Sequence, residues 1–345
     1  MPKHNFQRPE GRIEFIEINS RALTNNVLGD PVNRTVAVYL PDGYSDSNEE
    51  YPLLVDIVGF TGSGLGHIAW RAFQETVPQR VDRLVNEGKM GKVIVALPDC
   101  FTALGGNQYI NSDVMGNWGQ FLTDEMIPAI ETRYRVRKGR ENRGLFGKSS
   151  GGYGAIVHGM IYADYWGAIA CHSGDMGFDR CYLPEMPGVL MKLSEHENKV
   201  SGFMNKFNSG RKVNDLHTMM MLAMAATYDP DPEAPWGIRL PVTMDTCEVI
   251  PERWDKWQKW DPVLMIERED VQASLKSLKG VYIDCGIKDQ YKLLFGARQL
   301  VKRLEELEID HHYEEFSDNH SSVDYRMDIS LPFLYEKLVK NNTAT

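Results

Sequence analysis

Short apolar runs alternate with amphipathic stretches along most of the chain. The segment "TVAVYL" at 35–40 alternates between polar and apolar positions, whereas "PLLVDIVG" at 52–59 and "KVIVALPD" at 92–99 are almost continuously apolar. Similar runs occur at 144–147, 167–173 and 280–286. Continuous apolar runs of this length are typical of strands in a parallel sheet that is covered on both faces.

Amphipathic stretches separate these runs. Their spacing of apolar positions predicts helices at 73–86, 118–134, 152–163, 296–307 and 327–338. Strands and helices in alternation predict an α/β fold built on a mostly parallel, doubly wound sheet.

One region breaks this alternation. Residues 180–261 hold eight of the 16 methionines and four of the seven tryptophans. They include "HTMMMLAMAATY", which predicts a helix, and then the proline-rich "DPDPEAPWGIRLP". We therefore expect a core formed by 1–179 and 262–345, with residues 180–261 inserted as a helical cap.

The composition of the cap allows two interpretations. The cap could be an excursion with its own small core, or its methionines and aromatic side chains could also line an apolar acyl or aryl pocket. Trp236 and Trp254 are the candidates for that pocket, because each lies among prolines and charges outside the helix-like run.

Charge and composition limit the classes of partner. The 345 residues are 42% hydrophobic and 25% charged, with a formal net charge of −10. This acidity argues against a nucleic-acid binder or a protein that binds anionic membranes, since both favour basic patches. The first residues lack the apolar segment of a signal peptide, and no apolar run approaches about 18 residues.

The five cysteines are odd in number and widely scattered. No Cys-x-x-Cys pair or Cys/His metal spacing is present, so we expect reduced thiols, no metal site and a cytoplasmic protein. The cysteines are Cys100, Cys171, Cys181, Cys247 and Cys285.

The segment "GLFGKSSGGYGAI" carries the clearest chemical signal. Gly147-x-Ser149-x-Gly151 follows an apolar strand and opens a helix, which is the setting of a serine nucleophile on a sharp strand-to-helix turn. Centring the motif on Ser150 would place Lys148 at the first glycine position, so Ser149 is the candidate nucleophile. The backbone N–H of Ser150, at the helix start, is a candidate oxyanion donor.

A serine nucleophile needs a general base and an acid that orients the base. Hydrolases with this turn order them Ser, acid, His along the chain. His320 lies in the loop "SDNHSS" after the last predicted strand and before the final helix, which is the required place. His67 follows the glycine-rich turn and is expected nearer the substrate entrance, and His158 is expected to pack within its helix.

The acid and the second oxyanion donor come from turns that follow strands. "VYIDCGIKDQY" offers Asp284 and Asp289, and Asp289 is favoured because it lies in the turn beyond the strand. The glycine-rich turn "GFTG" after an earlier strand offers the N–H of Phe60 first and that of Thr61 second.

These residues together resemble the putative-esterase family of α/β-hydrolases. That family includes esterase D/S-formylglutathione hydrolase, enterochelin esterase, feruloyl esterases and mycolyltransferases. The matching segments are "YPLLVDIVGFTG", "VIVALPD", "GQFLTDEMIPAIETRYRV", "RGLFGKSSGGYGAI", "HSGDMGF", "CGIKDQ" and "SDNHSS". The segment "DEMIPAIETRYRV" is more specific than the serine motif itself.

The resemblance implies an α/β-hydrolase fold and the roles of Ser149 as nucleophile, Asp289 as acid and His320 as base. It implies a serine carboxylesterase that acts on small esters through an acyl-enzyme, without a cofactor, and it suggests a homodimer. A thioesterase, an acyltransferase or a non-catalytic binding protein of the same fold are the alternatives. The glycine-rich turn lacks the cysteine of S-formylglutathione hydrolases, which argues against that substrate, and Ser150 replaces a frequent methionine.

Overall fold

An eight-stranded sheet organises the protein, and a separate two-stranded sheet pairs Asn111–Ser112 with Gly116–Asn117. The computed structural model describes residues 6–209 and 215–340. The strands of the eight-stranded sheet, in chain order, are β1 (Arg12–Asn19), β2 (Asn33–Leu40), β3 (Leu53–Ile57), β4 (Ile94–Pro98), β5 (Arg143–Lys148), β6 (Ala168–His172), β7 (Gly280–Gly286) and β8 (His312–Phe316).

The order of the strands across the sheet is β1-β2-β4-β3-β5-β6-β7-β8. Strand β2 pairs antiparallel with both β1 and β4, and every pair from β4 to β8 is parallel. The mostly parallel α/β sheet expected from the apolar runs is therefore confirmed. Strand β1 was not predicted from the sequence.

Helices cover both faces of the sheet. In chain order, those up to the start of the cap are α1 (Val77–Asn86), α2 (Trp118–Gln120, then Phe121–Met126 with π-type hydrogen bonds, then Ile127–Arg133), α3 (Ser150–Ile161) and α4 (Phe178–Cys181), whose last two residues belong to the cap. Those of the cap are α5 (Met186–Ser194), α6 (Val200–Asn208), α7 (Leu216–Tyr228) and α8 (Pro251–Gln258). Those that follow are α9 (Pro262–Met265), α10 (Glu269–Lys276), α11 (Leu293–Glu306) and α12 (Met327–Val339).

Alternation along the strands divides the core into two clusters of buried side chains. In β3, Leu53 and Val55 belong to the cluster under α3, whereas Leu54 belongs to the cluster under α1 and α12. Successive side chains of a strand point to opposite faces, so a polar residue near a strand end can be assigned to one face from its position.

The cap shares the core of the sheet. Helix α7, which the sequence predicts, contributes Met219, Met221 and Met224 to the same buried cluster as β3 and α3. The cap thus packs on the α3 face of the sheet and does not close around a separate core, which differs from the first interpretation of its composition. Among the described residues, no helix is long and apolar enough to cross a membrane.

Candidate active site

The turn between β5 and α3 holds Ser149 in an unusual backbone conformation. Ser149 has φ 58° and ψ −124°, in a region that L-amino acids other than glycine rarely occupy. Its N–H donates to the carbonyl of His172 at 2.9 Å, and its own carbonyl accepts the N–H of Tyr153 at 2.8 Å. These two backbone hydrogen bonds stabilise the strained conformation of Ser149, as is common at functional turns.

Both glycines of the Gly-x-Ser-x-Gly motif are required by packing. A Cβ atom built on Gly147 or on Gly151 would overlap the carbonyl oxygen of Ile57 in the neighbouring strand. Because that oxygen belongs to the backbone of β3, it cannot move aside without displacing the strand. The close approach of β3 to this turn explains why the motif is centred on Ser149.

His320 and Asp289 form a buried pair. Nδ1 of His320 lies 2.7 Å from Oδ2 of Asp289, whose side chain is fully buried. The other oxygen, Oδ1, accepts the N–H of Tyr291 at 2.9 Å, and the N–H of His320 donates to the Gln290 side chain at 3.0 Å. These contacts fix the carboxylate and the imidazole relative to each other.

Asp284, the alternative acid, belongs to a different network. Its carboxylate accepts from Nδ1 of His172 at 2.8 Å and from Nε of Arg326 at 2.8 Å. Burial opposes ionisation of Asp284, but His172 and Arg326 outweigh it and hold the pKa of that carboxyl below its ordinary value. Nε2 of His172 is bonded to the Ser330 hydroxyl. Asp284 therefore contacts His172, and Asp289 contacts His320.

One cavity of about 450 Å³ contains both Ser149 and His320 in its wall. The turn after β3 borders it as well, with Phe60 and Thr61 among the lining residues. At Gly59, a Cβ atom would lie 3.4 Å from the Cβ of Ser149, so this turn passes directly beside the serine. The predicted oxyanion donors and the predicted nucleophile are thus neighbours.

Ser150 uses its side chain to anchor the start of α3. Its hydroxyl lies 3.4 Å from Oδ2 of Asp175, and Nε2 of Gln108 lies 3.3 Å from that hydroxyl. Tyr182 donates to the same Asp175 oxygen at 2.9 Å. Burial raises the pKa of Asp175, while the hydrogen bonds from Gln108 and Tyr182 lower it less. Asp175 borders the cavity and was not predicted from the sequence.

A second carboxylate–histidine pair also borders the cavity. Nδ1 of His67 lies 2.6 Å from Oδ2 of Asp56, whose side chain is fully buried. His67, expected from the sequence to lie near the substrate entrance, borders the cavity. The sequence feature that could have predicted this pair is the aspartate within the apolar run "LLVDIVG", because a buried charge needs a partner.

The two tryptophans proposed for the pocket lie elsewhere. Trp254 is buried, donates to Asp179 at 3.1 Å and packs on Trp257. Trp236 packs against the main core cluster from the short helical turn Pro235–Gly237. Neither tryptophan is among the described residues that border the cavity. The cap residues that do border it are Cys181, Tyr182, Leu216, His217 and Met220.

The remaining expectations concern metals and thiols. All five cysteines are free thiols. Within residues 6–209 and 215–340, no group of three or more His, Cys, Asp or Glu side chains is placed to hold a metal ion.

The strand order, the crossing helices and the turn at Ser149 define an α/β-hydrolase fold. The chain belongs to the putative esterase family, whose model matches residues 30–331. Both the fold and the family predicted from the sequence are therefore confirmed.

Two curated relatives, esterase Rv1288 and esterase MT1326 of Mycobacterium tuberculosis (strains H37Rv and CDC 1551), are each 31% identical over 156 residues. That match covers 43% of this chain and 30% of each relative, so it spans less than a third of their length.

Solved structures share the fold over nearly the whole chain. A ferulic acid esterase is 19% identical with a TM-score of 0.60, covering 96% of this chain and 100% of its own. FphF of Staphylococcus aureus, a fluorophosphonate-binding serine hydrolase, is 13% identical with a TM-score of 0.59, covering 94% and 98%. An S-formylglutathione hydrolase from Agrobacterium tumefaciens is 14% identical with a TM-score of 0.57, covering 96% and 97%.

Proposed function

We propose that this protein is a serine carboxylesterase in which Ser149, His320 and Asp289 form the catalytic triad. The observation that carries the proposal is one cavity bordered by a serine in a strained strand-to-helix turn and by a histidine that is bonded to a buried aspartate. Membership of the putative esterase family and the names of the curated relatives support the same activity.

In the first half of the reaction, the Ser149 hydroxyl attacks the ester carbonyl carbon while Nε2 of His320 accepts its proton. The tetrahedral intermediate collapses, the carbon–oxygen bond to the alcohol breaks, and His320 returns the proton to the leaving alkoxide. Asp289 holds Nδ1–H of His320, so that Nε2 faces the serine as a base, and stabilises the imidazolium that forms.

In the second half, water attacks the acyl-enzyme carbonyl and gives its proton to His320. The bond to the Ser149 oxygen then breaks, and His320 returns the proton to the serine. The products are one carboxylic acid and one alcohol for each water consumed. No redox change or cofactor enters this balance.

Two backbone N–H groups are assigned to the developing oxyanion. Ser150 is the first residue of α3, and N–H groups in the first turn of a helix have no acceptor within it. Phe60 is the second donor, with Thr61 as the alternative. The carbonyl of Phe60 accepts the N–H of Gly106 at 2.6 Å, which holds this turn beside Ser149.

The decisive experiment is covalent capture by a fluorophosphonate probe, which reacts only with an activated serine. The wild-type protein should be labelled, with the modified peptide containing Ser149, and should hydrolyse simple 4-nitrophenyl esters. Ser149→Ala should abolish labelling and lower ester hydrolysis about a thousandfold or more, as loss of a triad member does.

Ser150→Ala is the matched control, since only the backbone of Ser150 takes part in the reaction. It should retain labelling and most of the activity. A folded wild-type protein that neither reacts with the probe nor hydrolyses any ester would contradict the proposal and favour a non-catalytic binding protein.

A further inference from the structure

The cavity has a polar wall that the triad does not use. We define this polar wall as Asp56, His67, Arg71, Lys148 and Asp324, all of which border the same cavity as Ser149. One of these residues, Lys148, immediately precedes the proposed nucleophile Ser149 in the sequence.

The polar wall lies on the opposite face of the sheet from the cap. Leu54 of β3 and Phe146 of β5 belong to the buried cluster under α1 and α12. Asp56 lies two positions after Leu54, and Lys148 lies two positions after Phe146. Side chains two apart on a strand share a face, so Asp56 and Lys148 project toward α12. Tyr182 and Leu293, which also border the cavity, belong to the cluster on the cap's face.

His67 is one basic side chain of the polar wall. Burial disfavours the protonated imidazole, but the adjacent Asp56 outweighs burial, with help from Asp324, and raises the pKa of His67 above its ordinary value. Asp56 is thereby occupied by His67, and its second oxygen, Oδ1, is buried without a hydrogen-bond partner in the described structure.

Lys148 supplies a second charge without a matching partner. Burial lowers the pKa of Lys148, although Asp324 and Asp289 attract its ammonium from a distance. Within the described part of the chain, no carboxylate forms an ion pair with this ammonium. A partly buried cation without a counter-ion is costly, and an anion bound in the cavity would offset that cost.

Arg71 is the third cation of the polar wall. Its guanidinium donates to the carbonyl of Gly66 at 3.2 Å and lies 3.4 Å from the Gln74 side chain, which also borders the cavity. Arg71 thus adds a further basic side chain beside the carboxylates of Asp56 and Asp324.

We propose that Lys148 and His67 bind a carboxylate carried by the substrate, so that the protein acts on esters whose acyl or alcohol part bears a negative charge. This inference rests on the esterase activity proposed above and names the substrate class of that same cavity. The cap side of the cavity, with Leu216 and Met220, would then contact the uncharged part of the ester.

The test compares esters that differ in one charge. On the acyl side, 4-nitrophenyl hydrogen adipate is compared with 4-nitrophenyl hexanoate. On the alcohol side, 4-acetoxybenzoate is compared with 4-acetoxybenzamide. For at least one pair, the wild-type kcat/KM should be higher for the anionic ester by about tenfold or more, the scale of one charge-assisted contact.

Variants assign that preference to the polar wall. Lys148→Met should lower the anionic-to-neutral ratio of kcat/KM by about tenfold, whereas Lys148→Arg should keep more of it. His67→Gln should lower the ratio independently, which keeps the test valid if Lys148→Met does not fold. Lys302→Met, which removes an exposed lysine on α11, is the control for net charge and should leave the ratio unchanged.

The outcomes separate this inference from the proposed function. Fluorophosphonate labelling and hydrolysis of the neutral esters, with no preference for either anionic ester, would overturn the carboxylate site while leaving the esterase intact. A preference that persists in both Lys148→Met and His67→Gln would overturn it as well. Absence of labelling and of all hydrolysis would instead contradict the esterase activity itself.

Discussion

Asp289 contacts His320 at 2.7 Å, whereas Asp284, five residues earlier on the same strand and turn, contacts His172 at 2.8 Å. Two carboxylates that the sequence places side by side thus serve different histidines. Asp284 is inside β7, where alternation turns it toward α12, and Asp289 is in the turn beyond the strand.

This separation predicts different defects for the two amide variants. Asp289→Asn should lower kcat by about three to four orders of magnitude, because His320 loses the partner that sets its tautomer. Asp284→Asn should retain most activity but lower the free energy of unfolding by about 3 kcal/mol, since it weakens a buried ion pair with Arg326. Steady-state kinetics and thermal melting of both variants check this. An inactive, folded Asp284→Asn beside an active Asp289→Asn would reverse the assignment.

The burial of His158 leads us to expect a loss of stability in mild acid. It is fully buried in α3, with Nε2 2.8 Å from the Tyr109 carbonyl and Nδ1 accepting the Trp166 indole N–H at 3.1 Å, so it is the neutral Nε2–H tautomer. Burial lowers its pKa to about 4, outweighing the hydrogen bond to Tyr109.

In the unfolded chain, His158 has the ordinary histidine pKa of about 6.5. When the pH falls below this value, the unfolded chain binds a proton at His158 and the native state does not. Stability should therefore fall as the pH drops from about 6.5 to about 4, by up to about 3 kcal/mol from this residue. Urea unfolding across that range measures the slope. His158→Gln should flatten it, while His311→Gln controls for the loss of a histidine elsewhere. An equal slope in wild type and His158→Gln would contradict the prediction.

Gly151 and Gly188 form a matched pair for testing the nucleophile turn. Gly151→Ala would place a methyl group against the Ile57 carbonyl, so we expect little folded protein or a Tm lower by many degrees. Gly188 lies in α5 with nothing within 4 Å of a built Cβ, and Gly188→Ala should be neutral or stabilising by about 0.5–1 kcal/mol. Melting curves and fluorophosphonate labelling of both variants provide the comparison. Normal labelling of Gly151→Ala would show that the turn tolerates a side chain.

Met220 and Trp254 separate specificity from stability in the cap. Met220 borders the cavity, so Met220→Ala should lower kcat/KM for butyryl and aryl esters about tenfold and hardly affect acetyl esters. Trp254 is buried against Trp257, so Trp254→Ala should lower stability by about 3–5 kcal/mol and leave relative rates unchanged. Parallel loss on all esters in Met220→Ala would remove its role in specificity.

The sequence predicted the parts of the fold that are most apolar. Strands β3, β4 and β7 are buried at every position, and their continuous apolar runs were readily recognised. Strand β1 was missed because it lies at the sheet edge, where only Ile16 and Ile18 are buried and Phe15 is 55% exposed. An edge strand has one packed neighbour, so its pattern is weaker.

The candidate site shows the same division. Ser149 could be predicted because cramped turns require glycine at fixed offsets. The cap residues at the cavity could not, since the three consecutive methionines 219–221 point in different directions from a helix. Met219 and Met221 enter the core and Met220 borders the cavity. Likewise, nothing in the local sequence of Lys148 indicates that an ion-pair partner is missing.

The order of the strands has a consequence for synthesis on the ribosome. Strand β5 and the Ser149 turn emerge early, but β7 and β8, which precede Asp289 and His320, follow only after the cap. A nascent chain halted within the cap would carry the serine without its base or acid. Because β7 must still pair with β6, and β8 with β7, to complete the cavity, reactivity toward esters should arise only when almost the whole chain has been made.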